Sequence, residues 1–166
     1  MKKKIFLLVA LVVTVASLAS CGETSTPSGE QQPMEQIASS EPEAADAGAL
    51  GDYHVALKQA TFGKDYEGNP MIVVNYDFTN NSDESCAAIW AVNMQAFQNG
   101  IQLETAIAMD DKVYNAETAQ KEIKPGVTLE NCQAAFVLSD SSTVSVEVTE
   151  FISLGDEMLI KDFAVE

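Results

Sequence analysis

The stretch from Ile72 to Thr79 most limits what this chain can fold into. Ile72, Val74, Tyr76 and Phe78 alternate with Val73, Asn75, Asp77 and Thr79. A period of two puts an apolar row on one face and a largely polar row on the other, the pattern of a half-buried strand. A helix cannot use that spacing, because its faces repeat roughly every 3.6 residues.

The same period recurs along the chain. Ala88, Trp90, Val92, Met94 and Ala96 share one parity, and Asn99-Gly100 then marks a tight turn into Ile101 to Thr105. Asn-Gly signals a hairpin because both residues tolerate positive φ. Lys124-Pro125-Gly126 is a turn leading into Val127 to Leu138, where Cys132, Ala134, Phe136 and Leu138 share a face. Val144, Val146 and Val148 alternate with Ser145, Glu147 and Thr149. Tyr53 to Phe62 and Met158 to Val165 supply two further strands, each with a parity break that predicts a bulge. Met109 to Glu122 breaks the pattern: it is polar, lacks alternation and fits a short helix or a long loop. Short strands joined by turns predict an all-β, antiparallel β-sandwich over residues 52–166, a length that suits one domain with one core.

The N-terminus has a different character. Lys2, Lys3 and Lys4 precede an apolar run from Ile5 to Ala19, the layout of a secretory signal over residues 1–20. A membrane-spanning helix needs about 20 apolar residues, more than this run offers. Leu18-Ala19-Ser20-Cys21 resembles the lipobox of bacterial lipoproteins. The resemblance implies a diacylglycerol on the Cys21 sulfur and cleavage before it. The protein would then be held on the extracytoplasmic face of the cell membrane by acyl chains. Gly22 to Gly51 carries Pro27, Pro33 and Pro42 among Ser, Glu, Gln and Ala, with Met34, Ile37 and Leu50 scattered. It is expected to be a disordered acidic leash between Cys21 and the folded domain.

Loss of the signal would leave six lysines against 25 acids, and the chain has no arginine. A chain this acidic, with no guanidinium to grip phosphate, is a poor candidate for nucleic acid, and no nucleic-acid partner is expected.

Tyr76-Asp77-Phe78-Thr79-Asn80-Asn81-Ser82-Asp83-Glu84, Ala96-Phe97-Gln98-Asn99-Gly100-Ile101 and Ile123-Lys124-Pro125-Gly126 together resemble the landmarks of a domain-of-unknown-function family. Its members are small extracytoplasmic lipoproteins of Gram-positive bacteria with an immunoglobulin-like sandwich. The resemblance spans about residues 52–150. It implies the immunoglobulin-like fold and no catalytic residues or cofactors.

Candidate chemistry is sparse. Cys86 and Cys132 are the pair left after lipidation, and in an exported chain they are expected to form a disulfide. On the chain-entropy model, closing that loop stabilises by about 4 kcal/mol. His54 is the only histidine, beside Tyr53 at a strand start and far from any nucleophile motif, so it reads as an exposed strand residue. One histidine and two distant cysteines lack the ligand spacing of zinc. Asp83-Glu84, Asp110-Asp111 and Asp140 fall in turns and loops. They read as solvated charges, with a calcium site or a carboxylate pair as the sharper alternatives. Asn80-Asn81-Ser82 matches a glycosylation sequon but reads as an asparagine turn after a strand.

Two functional readings follow. The first is a non-enzymatic binding or adaptor module presented to an envelope protein or cell-wall component, with Val73 and the C-terminal tail offering an exposed strand edge. The second is an extracytoplasmic enzyme or enzyme subunit with a site built around Asp110 and Asp111.

Overall fold

The computed structural model describes residues 46–152 and 155–165. Residues 1–45 lie outside them, so the signal, Cys21 and most of the expected leash are not described.

Ten strands are present among the described residues: β1 (Ala47–Leu50), β2 (Tyr53–Lys64), β3 (Pro70–Asn80), β4 (Cys86–Ala87), β5 (Val92–Gln98), β6 (Ile101–Gln102), β7 (Glu122–Ile123), β8 (Thr128–Val137), β9 (Val144–Glu150) and β10 (Met158–Phe163). One sheet runs β1-β2-β3-β8 and the other β10-β9-β5-β6, with β4 and β7 forming a small separate pair. Every pairing is antiparallel. The alternating residues face inward: Ile72, Val74, Tyr76 and Phe78 from the first sheet meet Val144, Val146 and Val148 from the second in one core. The fold is the all-β sandwich that the period-two pattern requires.

Three features depart from the expectation. β1 lies at 47–50, inside the stretch read as leash, because Leu50 is buried in the core. Residues 88–91 form a single helical turn, α1 (Ala88–Ala91), rather than strand. Ala88 and Ala91 are buried while Trp90 points out, a spacing of three that serves a helical turn. β10 pairs with β9 without a register shift, so the expected bulge there is absent. The bulge expected in β2 does occur, between Leu57 and Ala60. A second interrupts β8, where Asn131 takes φ 59° and its N–H donates to Asp77 Oδ1 at 3.2 Å.

The turns follow their chemistry. Asn99 (φ 52°) and Gly100 (φ 76°) close the β5–β6 hairpin with both central residues left-handed. After Pro125, Gly126 takes φ 77° and the Val127 N–H reaches the Lys124 carbonyl at 3.2 Å.

The outer face of the first sheet is only partly wet. Residues 104–114 fold across its upper half, and Met71, Val73, Ala106 and Ala135 form a second apolar cluster beneath them. Gly63 permits this close approach, since a Cβ there would stand 2.6 Å from Val113. Val73 is therefore fully buried, on a strand flanked by β2 and β8. It offers no edge to a partner, contrary to the sequence expectation.

Candidate functional site

The end of the sandwich that carries α1 is held by one asparagine. Asn80, the last residue of β3, is completely buried. Its Nδ2 donates to the carbonyls of Glu84 at 2.8 Å and Ile123 at 3.1 Å. Its Oδ1 accepts from the Ser82 N–H at 3.0 Å and the Ser82 hydroxyl at 2.7 Å. The asparagine turn read from Asn80-Asn81-Ser82 is thus present, and it fixes the connection that delivers β4 and α1. Cys86 pairs with Ile123 across β4 and β7, and α1 follows directly.

On this end α1 exposes Ile89 and Trp90, and the chain leaving β9 exposes Phe151 and Ile152. The Phe151 N–H donates to the Ala91 carbonyl at 2.9 Å, which locks the two segments together. Trp90 and Phe151 meet edge to face with centroids 6.4 Å apart and planes at 88°. Trp90 is 69% exposed and Phe151 50%. Buried aromatic pairs are ordinary, but an exposed one flanked by two isoleucines is a surface suited to a partner.

The patch continues into a groove of about 290 Å³ between the two sheets, lined by Val92 and Met94 of β5, Ala134 and Phe136 of β8, Tyr114 and Phe151. A larger groove of about 530 Å³ on the outer face of the first sheet is polar, and many of its groups bond one another. Lys58 pairs with Asp77 at 2.8 Å, the Gln133 amide donates to Asn75 Oδ1 at 2.9 Å, and the Asn75 amide donates to the Gln59 carbonyl at 3.0 Å. Desolvation tends to raise the Asp77 carboxyl, but the hydrogen bonds from Lys58 and the Asn131 N–H outweigh it and hold the group below its usual range.

The residues singled out in sequence do not converge. Cys86 and Cys132 are both free thiols, and the expected disulfide is not formed. Cys86 is held opposite Ile123, with the Tyr53 hydroxyl bonded to its thiol. Cys132 stands opposite Tyr76 in the core and directs its Sγ to the Leu129 carbonyl at 3.8 Å. Burial pushes the Cys132 thiol up to about 12, and burial also raises Cys86. His54 is exposed on β2 opposite Ala49 and Thr79. Asp110 shapes its own loop, accepting from the Lys112 N–H at 3.0 Å while its carbonyl accepts from Val113 at 2.9 Å. Asp140 accepts from the Ser142 N–H at 2.7 Å and from the Asn99 amide at 2.9 Å. Among the described residues no three His, Cys, Asp or Glu side chains gather as metal ligands.

Sequence reading placed Trp90 on a strand and did not link it to Phe151. The available signal was the adjacent apolar pair Phe151-Ile152, which breaks the alternation just past β9.

The family model for the domain of unknown function DUF5067 matches residues 29–150, most of the chain. The chain belongs to the DUF5067 family. The match starts upstream of the described residues and ends with β9, so β10 lies beyond it. No curated protein matches the chain. Among solved structures, a lipoprotein candidate from Staphylococcus aureus is similar at 16% identity and a TM-score of 0.57, covering 74% of this chain and 91% of that one. An Enterococcus faecalis protein is similar at 20% identity and 0.54, covering 75% and 92%. A lipoprotein candidate from Bacillus subtilis, YcdA, is similar at 13% identity and 0.55 over 74% of this chain, which spans 39% of that protein's length. At these identities the likeness establishes a shared fold for the DUF5067 domain. Among the described residues no helix is long and apolar enough to cross a membrane.

Proposed function

We propose that the protein is a lipid-anchored binding module, without catalytic activity, tethered through Cys21 at the extracytoplasmic face of the cell membrane. Its apolar end, Ile89, Trp90, Phe151 and Ile152, is presented to an envelope protein or cell-wall component. The observation that carries this reading is the exposed Trp90–Phe151 pair, whose Phe151 also lines the adjoining groove. Solvent-facing aromatic area of this kind is enriched where proteins bind one another. The tether is supported by the lipobox at Leu18-Ala19-Ser20-Cys21 and by the fold shared with two lipoprotein candidates. The order β2-β3-β8 against β6-β5-β9-β10 supports an immunoglobulin-like assignment, since it matches strands A-B-E facing C′-C-F-G.

The enzyme reading, centred on Asp110 and Asp111, has less behind it. Asp110 is engaged in turn formation, and among the described residues no three His, Cys, Asp or Glu side chains gather as metal ligands. The test is a pull-down from the envelope of the source cell, with calcium and then chelator, using the full chain and a Trp90→Ala/Phe151→Ala variant. The binding-module reading expects one component in near-stoichiometric amount on the native chain and its loss on the variant. Turnover of an envelope substrate that is lost in Asp110→Asn/Asp111→Asn would reject it.

A further inference from the structure

The lower half of β5 has a free edge. β5 pairs with β9 over its whole length, Val92 opposite Glu150 through Gln98 opposite Val144. On its other side β6 covers only Phe97 and Gln98, and the Leu103 N–H closes on the Ala96 carbonyl at 2.8 Å. The chain then leaves that edge and crosses to the other sheet, where Val137 N–H donates to the Glu104 carbonyl and Ala106 N–H to the Ala135 carbonyl, each at 2.8 Å. Below the crossing no described strand flanks Val92 to Gln95.

Backbone groups of alternate residues turn to the same side of a strand. Since the Ala96 carbonyl turns toward Leu103, the N–H and carbonyl of Met94 turn toward the vacant side. The Val92 N–H is taken by the Ala88 carbonyl, which leaves the Val92 carbonyl on that side. An acceptor and an adjacent donor–acceptor pair at this spacing are what an added strand engages. On the opposite flank of the sandwich β1 covers the start of β2, and Lys161 of β10 reaches the Leu57 carbonyl at 3.1 Å and Asp46 at 3.0 Å.

Beside the vacant edge lies the apolar groove already described, about 290 Å³ in volume. That volume can take a few side chains of a docked strand. Ile89 and Phe151 line the groove, and Trp90 packs on Phe151 beside it. Glu150 stands opposite Val92 on β9 and Glu104 adjoins Thr105 of the groove lining, on a chain of net charge −16. A second copy of the chain would bring the same acids face to face, whereas a cationic segment would be drawn in.

We propose that the Val92–Gln95 edge of β5 accepts an extended, lysine- or arginine-bearing segment of a partner protein by strand addition. Its apolar side chains enter the groove toward Phe136 and the Trp90–Phe151 pair. This rests on the binding-module reading and names the chemistry of its partner.

The test titrates the full chain, in detergent micelles, with the synthetic peptide acetyl-Lys-Val-Lys-Phe-Lys-Val-Lys-amide. Two controls are the same peptide N-methylated at alternate residues and its Glu-for-Lys counterpart. Trp90 is the only tryptophan and packs edge to face on Phe151 of the groove lining, so its emission reports that end of the groove, and amide shifts of Asn93, Met94 and Gln95 report the edge. Saturable changes in both are expected with the cationic peptide, with affinity at least tenfold weaker for either control. No change at millimolar peptide overturns the proposal, as does equal binding of the N-methylated peptide. Concentration-dependent dimerisation that shifts the same amides without peptide also overturns it, in favour of a second copy. If the envelope pull-down still retains a partner through Trp90 and Phe151 while this peptide fails, strand addition is rejected and the binding module stands.

Discussion

Replacing Asn80 by alanine is the most informative test of how the apolar end is built. The substitution removes four side-chain hydrogen bonds, two to buried or part-buried carbonyls and two from Ser82. The Ser82 groups lie near solvent and can turn to water, so their loss costs about 0.5 kcal/mol each. The Glu84 and Ile123 carbonyls lose the amide donor that satisfied them, at about 1 kcal/mol or more each. The sum is about 3 kcal/mol, a large part of the 5–15 kcal/mol that domains typically have. Urea denaturation followed by circular dichroism should show a lower midpoint with an unchanged slope. Asn80→Asp keeps the shape and the Ser82 bonds but aims a carboxylate at two carbonyls, so it should destabilise at least as much at neutral pH. Below the carboxylate range it should recover in part, because a protonated carboxyl can donate one of the two bonds. A loss under about 1 kcal/mol for Asn80→Ala, or an Asn80→Asp protein as stable as the native one at neutral pH, would refute the reasoning.

Other predictions follow from the same structure. Denatured, unreduced protein should show both Cys86 and Cys132 reactive to a thiol reagent. In the native state Cys132 should react far more slowly, because burial raises its thiol to about 12 and thiolate is the reactive form; a protein without reactive thiols would restore the disulfide. Hydrogen bonds from Ser142 and Asn99 lower the Asp140 carboxyl below its usual 3.8. A lowered carboxyl adds stability above its unfolded pKa and loses it as pH falls through the folded one. Asp140→Asn should therefore melt lower than the native chain at neutral pH, and the gap should narrow as pH falls through the carboxylate range; a pH-independent gap would exclude ionisation as its source. Cys21→Ala should move the protein from the membrane fraction to the medium, and retention at the membrane would remove the lipid anchor from the account. Trp90→Ala/Phe151→Ala should leave the melting temperature within a few degrees of native, since both rings are at least half exposed.

Much of the fold was legible in sequence because sandwich strands advertise themselves. The parity of Ile72 to Phe78 and of Val144 to Val148 maps directly onto the core, and Asn99-Gly100 and Pro125-Gly126 adopt the backbone their chemistry favours. The failures have physical causes. Residues 88–91 carry apolar positions that satisfy both a strand and a single helical turn, and only the tertiary setting of Ala88 and Ala91 decides between them. Val73 looked exposed because alternation within one strand says nothing about a distant segment such as 104–114 folding over its outer face. Cys86 and Cys132 were paired by elimination, whereas a disulfide depends on Cα separation and Cβ direction that a sequence does not contain. The candidate site was the least legible part. Its aromatic pair joins residues 61 positions apart, and its free strand edge results from where β6 stops.

The binding-surface claim is tested most directly by site-specific photocrosslinking in living cells of the source organism. A photoreactive phenylalanine analogue would replace Trp90 in one strain and, in a control strain, Tyr66, which is 60% exposed in the β2–β3 turn away from α1. The account predicts a discrete, light-dependent adduct from position 90 and none from position 66. Equal adducts from both positions, or none from position 90 at full expression of an anchored protein, would contradict it.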